Sequence, residues 1–137
     1  WPSDEERPGA VCYCGRRGCI ETFLSGPGLA RDFVEHGGPA LESDAVIHAA
    51  RTGDASAAAA LDRYLDRLAR SLATVINVLD PDIIVVGGGL SNVVEIFEEV
   101  PRRWARYVFS DRVDTRLVGA RHGDSSGVRG AARLWSA

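Results

Sequence analysis

The chain has 137 residues, 45% hydrophobic and 26% charged with a net charge of −3, a composition that excludes disorder and predicts a packed domain. Its sixteen basic residues, all arginine, are dispersed, and its longest purely apolar stretch outside the alanine run at 57–60 is Ile83–Val86, so neither nucleic acid nor a membrane is an expected partner. The size is that of one modest domain, below a two-lobed nucleotide-dependent enzyme, and with no Met anywhere the chain is expected to be a piece of a longer one.

Residues 1–11 hold two prolines and a glycine among charged side chains, without helical or strand periodicity, and are expected as a loop. A cysteine cluster follows. Ser25 then offers a cap for a short helix over Leu29–Glu35 that Gly37-Gly38-Pro39 stops, and a second short helix is expected over Ser43–Arg51. Asp54 is a good N-cap for the clearest element, a long amphipathic helix ended near Pro81. It carries Leu61, Tyr64, Leu65, Leu68, Leu72, Val75, Ile76 and Leu79 at steps of three and four. Its other face holds Arg63, Asp66, Arg67 and Arg70 and is expected to meet solvent or an interface. Asp82–Val86 is a continuous run without polar alternation, the pattern of a parallel strand buried on both faces, and Gly87-Gly88-Gly89 ends it. Asn92 with Glu95 offers a capping box for a helix carrying Val93, Phe97 and Val100, kinked or restarted at Pro101. A weaker strand, Leu117–Ala120, and a closing helix, Ser126–Trp135, follow.

This order is α/β, with two parallel strands joined by a crossover helix. Two strands are too few for a doubly covered sheet, so the sheet is expected to be incomplete, with further strands supplied by a longer chain or by a second molecule.

Cys12, Cys14 and Cys19 form a Cys-x-Cys-x4-Cys cluster with Gly15 and Gly18 between the last two. Thiolates that close can converge on one ion, because the glycines let the backbone fold around it, and soft sulfur ligands favour zinc. The alternative is three reduced cysteines without a metal. An odd number packed into one short segment is a poor disulfide framework, which with the lack of a signal-like opening segment predicts a cytoplasmic location. A structural zinc takes four protein ligands, and His36, His48 and His122 are candidates for the fourth by residue type alone. Glu21, read by itself, is an acid at a helix start. Gly87-Gly88-Gly89 sits at the carboxyl end of a strand, where open α/β sheets bind ligands, and is as often a tight turn as a nucleotide site. Asp124, in a Gly/Ser-rich turn, reads as a cap for the last helix rather than a catalytic base.

The segment Cys12-Tyr13-Cys14-Gly15-Arg16-Arg17-Gly18-Cys19-Ile20-Glu21-Thr22-Phe23-Leu24-Ser25-Gly26 closely resembles the zinc signature of the ROK proteins, a family of bacterial sugar kinases and sugar-responsive repressors. Asp80–Gly89 resembles the family's strand and glycine turn, and His122–Ala132 the ending of its fructokinase branch. The resemblance implies the C-terminal part of an actin-like, ribonuclease-H-like sugar kinase. Its parts would be a zinc loop and sugar-contact segment over 1–24, a helical segment over 25–80 and a βαβα segment over 81–137. It further implies that Cys12, Cys14 and Cys19 ligate zinc, with the fourth ligand a histidine upstream of the cysteines. Glu21 would accept hydrogen bonds from sugar hydroxyls. Gly87, Gly88 and Gly89 would contact the adenosine of ATP, with Gly26 and Gly28 lining the same cleft. The intact enzyme would use ATP and magnesium to phosphorylate a hexose, fructose first, and would be a homodimer. The family's phosphate-binding turn and catalytic aspartate find no counterpart here, so this chain alone is expected to be inactive. A ROK-type regulator, or a zinc-stabilised association module, are the other readings.

Overall fold

The computed structural model describes residues 1–135, apart from the side chains of Asp124 and Ser126, so the capping role read for Asp124 lies outside the described residues. The regular elements are α1 (Gly26–Glu35), α2 (Ser43–Arg51), α3 (Ala55–Leu79), β1 (Ile83–Val86), α4 (Val94–Trp104), β2 (Arg116–Gly119) and α5 (Ser126–Arg133). Single 3-10 turns lie at Asp4–Glu6, Ile20–Thr22, Gly89–Asn92 and Gly123–Ser125. The chain divides into two compact units, Trp1–Ser71 and Leu72–Ala137.

In the first unit, the expected helix starts are built by side-chain caps. Ser25 accepts a 3.1 Å hydrogen bond from the Gly28 N–H, and because Pro27 is tolerated in a first turn α1 begins at Gly26, earlier than its apolar residues suggest. Asp54 accepts from the Ala57 N–H at 2.8 Å and opens α3. Leu29, Phe33, Val46, Ile47, Leu61, Tyr64 and Leu65 are buried together with Ala57 and Ala60.

The polar face of α3 departs from expectation. Arg67 is buried, and Arg63 and Arg70 are half-buried, because acids from residues 1–11 and from α1 close over that face. Arg67 donates to Glu6 at 2.7 Å and to Asp32 at 2.7 Å, Arg63 donates to Asp32 at 2.6 Å, and Arg70 donates to Glu6 at 2.8 Å. The segment read as a plain loop thus has a fixed place.

In the second unit, Asp80 takes a φ of 44° and Pro81 follows, which ends α3. β1 and β2 pair in parallel, Ile83 with Arg116 through Val86 with Gly119, as the α/β reading requires. α4 packs on β2, and Ile96, Val100 and Trp104 bury its apolar side. Pro101 lies inside α4 without interrupting it. The capping box at Asn92 does not form: Asn92 is taken up by the 3-10 turn over Gly89–Asn92, and α4 starts from Val93 with no side-chain cap. Burial of β1 on both faces is also not observed. Ile83 is 43% and Val85 60% exposed, whereas Ile84 and Val86 on the opposite face are half-buried, so among the described residues only one face of β1 is covered. Along α3, Val75 and Leu79 are likewise exposed, whereas Ala73 and Ile76 are buried.

Candidate metal and ligand site

The cysteine segment folds back on itself through an isolated antiparallel bridge between Val11 and Arg17. Within it the Cys12 N–H donates to the Arg16 carbonyl at 2.7 Å and the Gly15 N–H to the Cys12 carbonyl at 2.9 Å. Gly15 and Gly18 hold φ values of 82° and 67°, the left-handed conformations that make the turn. One sulfur from each of Cys12, Cys14 and Cys19 lies within 4.8 Å of the others, a spacing at which three thiolates can hold one metal ion. Cys12 is buried, Cys19 half-buried and Cys14 exposed. The Arg16 backbone N–H, aided by the neighbouring thiols, holds Cys14 below the usual thiol range. The hydrogen bond shared with Cys14, which favours one thiolate at the other's expense, pushes Cys19 up to about 11. Among the described residues no histidine joins the cluster.

Glu21 is carried on the turn that leaves this cluster. The Cys19 carbonyl accepts from the Thr22 N–H at 2.9 Å and from the Thr22 hydroxyl at 2.7 Å, so the turn hangs from the last cysteine. The Ser25 hydroxyl donates to the Glu21 carbonyl at 2.7 Å, and an Arg31 guanidinium donates to the Thr22 carbonyl. The Glu21 side chain stays exposed. Tyr64 lies beneath, its phenol raised above the usual range first by burial and then by the negative charge of Glu21.

Gly26 and Gly28 both stand close to neighbouring atoms. A Cβ on Gly28 would stand 2.8 Å from the Thr22 carbonyl oxygen and 2.9 Å from the Phe23 backbone, and one on Gly26 would stand 2.8 Å from the Ser43 hydroxyl. Gly28→Ala is therefore expected to destabilise by about 1–3 kcal/mol, as overpacking against backbone does, and to loosen the Glu21 turn. Urea unfolding of the variant checks this, and an unchanged midpoint would mean that α1 shifts freely.

Sequence reasoning missed the residues that hold this segment from below. Glu6, Asp32, Arg63, Arg67 and Arg70 form the ion network described above, the Arg67 guanidinium lies 5.4 Å from the Phe23 ring centre, and Trp1 meets the same ring edge-on at 5.4 Å. Glutamate and aspartate separated by such distances in sequence carry no pattern that a helix periodicity would expose.

In the second unit, Gly87-Gly88-Gly89 follows β1 at its carboxyl end, and all three are exposed. Gly88 has a φ of 78°, and no atom stands within 4 Å of where a Cβ on Gly88 or Gly89 would be. The turn packs beside Gly123–Ser125. A cavity of about 510 Å³ opens instead at the amino end of the strands, lined by Asn77, Asp80, Asp82, Phe109, Arg112 and Thr115. Among the described residues no helix is long and apolar enough to cross a membrane.

The α/β order, parallel pair and three-thiol loop point to one family. The model of the ROK family matches residues 4–137, and the chain belongs to that family. The N-acetyl-D-glucosamine kinase of Photobacterium profundum is 39% identical over 130 residues, covering 95% of this chain and 43% of that protein. That of Salmonella typhi is 41% identical over 123 residues, covering 90% and 41%. A crystal structure of a ROK family glucokinase from Streptomyces griseus, in complex with glucose and AMPPNP, superposes with a TM-score of 0.82 at 25% identity over 92% of this chain and 47% of that one. The ROK hexokinase of Thermus thermophilus gives 0.76 at 26% identity over 90% and 42%. The fold is thus that of the actin-like ROK sugar kinases, and the chain spans less than half the length of the relatives it matches.

Proposed function

We propose that this chain is the sugar- and zinc-binding part of an ATP-dependent hexose kinase. The observation that carries the reading is the hanging of the Glu21 turn from Cys19, so that whatever the three thiols hold also holds the carboxylate. Cys12, Cys14 and Cys19 would ligate zinc, which supplies a fixed turn rather than chemistry, with the fourth position filled from outside the cluster. Glu21, exposed and charged, accepts from sugar hydroxyls. Gly87, Gly88 and Gly89 face the adenosine of ATP: the open space over Gly88 and Gly89 supports this, while the packing of Gly26 and Gly28 gives those two a structural duty. Magnesium, the phosphate-binding turn and the base that takes the sugar proton belong to the rest of the enzyme, which acts by positioning and charge stabilisation. The incomplete sheet supports a homodimer.

The ending at His122–Ala132, similar to the fructokinase branch, favours fructose as acceptor. The names of the relatives favour N-acetyl-D-glucosamine or glucose, and identity over nearly the whole chain outweighs one short segment. The whole protein that carries this chain is therefore expected to transfer phosphate from ATP to a hexose, with the aldohexoses ahead of fructose in an acceptor panel. In that protein Glu21→Gln is expected to weaken apparent sugar affinity about ten- to a hundred-fold, the worth of a charge-assisted hydrogen bond, and to leave the KM for ATP unchanged. An unchanged sugar affinity would reduce Glu21 to a helix-end acid and sink the site.

A further inference from the structure

We propose that Cys14 and Cys19 are a site of reversible oxidation, joined as a disulfide by a hydroperoxide. Their sulfurs stand 3.5 Å apart, so a bond of about 2.05 Å is reached by a small closure of a loop that turns through two glycines. Exposure ranks the three thiols: Cys14 is exposed, Cys19 half-buried and Cys12 buried, so a peroxide in solution meets Cys14 first and Cys12 last.

The chemistry balances with the peroxide as sole oxidant. The Cys14 thiolate attacks one peroxide oxygen, an S–O bond forms as the O–O bond breaks, and the departing oxygen leaves as water after taking a proton. The Cys19 sulfur then attacks Cys14, an S–S bond forms as the S–O bond breaks, and the second oxygen leaves as water. Two thiols lose two electrons and two protons, and hydrogen peroxide becomes two waters. A metal ion and this disulfide need the same two sulfurs and exclude one another. Because the Glu21 turn hangs from the Cys19 carbonyl, oxidation changes what supports Glu21. That coupling rests on the zinc reading above, whereas the oxidation site does not.

Arg16 and Arg17 lie between the two cysteines, so tryptic cleavage there leaves Cys14 and Cys19 on separate peptides held together only by a disulfide. The metal-free chain, treated with hydrogen peroxide, alkylated and digested, is expected to lose about 2 Da, to yield the linked peptide pair, and to be restored by dithiothreitol. Cys12→Ser keeps the link, and Cys14→Ser and Cys19→Ser abolish it. Zinc-loaded chain is expected to react about tenfold more slowly or less, releasing zinc, by a colorimetric chelator, in step with the disulfide. A linked pair that persists in Cys14→Ser, or sulfinic and sulfonic acids without any link, overturns the proposal while leaving the zinc reading intact. A chain that forms the link but never binds zinc supports the oxidation site and sinks the zinc reading instead.

Discussion

Arg67→Met is expected to destabilise the first unit by about 1–3 kcal/mol, the cost of removing a buried charged donor from two carboxylates that keep Arg63 and Arg70 as their remaining cations. Arg67 is 9% exposed, and its two separate N–H groups reach Glu6 and Asp32, each at 2.7 Å. Methionine keeps much of the buried stem, so what is lost is the charge rather than packing. Arg67→Lys is expected to fall between, since one ammonium cannot replace a guanidinium that spans both acids. Urea unfolding followed by circular dichroism reads the loss, and pairing Arg67→Met with Glu6→Gln should recover part of it. A cost below about 1 kcal/mol would mean that water, not Arg67, solvates the two acids.

The same network fixes an acid limb. Burial works to raise Glu6, but hydrogen bonds from Arg70 and Arg67 prevail and hold it at about 2, and Asp32 is likewise held below the usual carboxylate range by Arg63 and Arg67 against burial. A carboxyl depressed in the folded state adds stability that is fully present above its unfolded value near 4.5 and is lost as the pH falls toward 2. Stability is therefore expected to decline across that window. In Arg67→Met the folded values of both carboxyls move up toward their unfolded ones, so the stability lost across that window should be smaller, as urea midpoints measured between about pH 5 and 2 would show.

Helix positions were legible in the sequence because their signals are local: Ser25 and Asp54 cap where they should, and α2 has the predicted bounds, Ser43–Arg51. The cysteine loop was legible for the same reason, since all three cysteines and both turn glycines lie in one short segment. Burial was not. The arginine face of α3 reads as solvated by periodicity alone, and nothing near it in sequence announces Glu6 or Asp32, which reach it from other elements. The Ile83–Val86 run states what the strand prefers to bury, not what packs over it, and so predicted cover on both faces where the described residues supply it on one. Asn92 shows the converse failure, a sound local signal overridden by the turn at Gly89–Asn92.

On the proposed zinc reading, the chain grown with ample zinc is expected to hold close to one ion, and Cys12→Ser, Cys14→Ser and Cys19→Ser are each expected to lose it. Groups that merely support a metal ligand cost about 10–100-fold in affinity when removed, so loss of a direct thiolate should exceed about a hundredfold. Competition with a chelating dye measures this. His36→Ala, His48→Ala and His122→Ala should keep the ion, because the cluster is made of the three thiols alone among the described residues. Tyr13→Ser is the internal control: that side chain lies between two of the cysteines in sequence yet is 94% exposed, so its removal tests the loop's backbone without touching a ligand. Retention should be weak even in the parent chain, since three protein ligands leave a position that water or a foreign donor occupies and through which a chelator can enter. Zinc-replete chain with all three thiols free to titrate would sink the assignment. Retention by Cys12→Ser alone would instead mean that Cys14 and Cys19, whose sulfurs stand 3.5 Å apart, suffice to hold the ion.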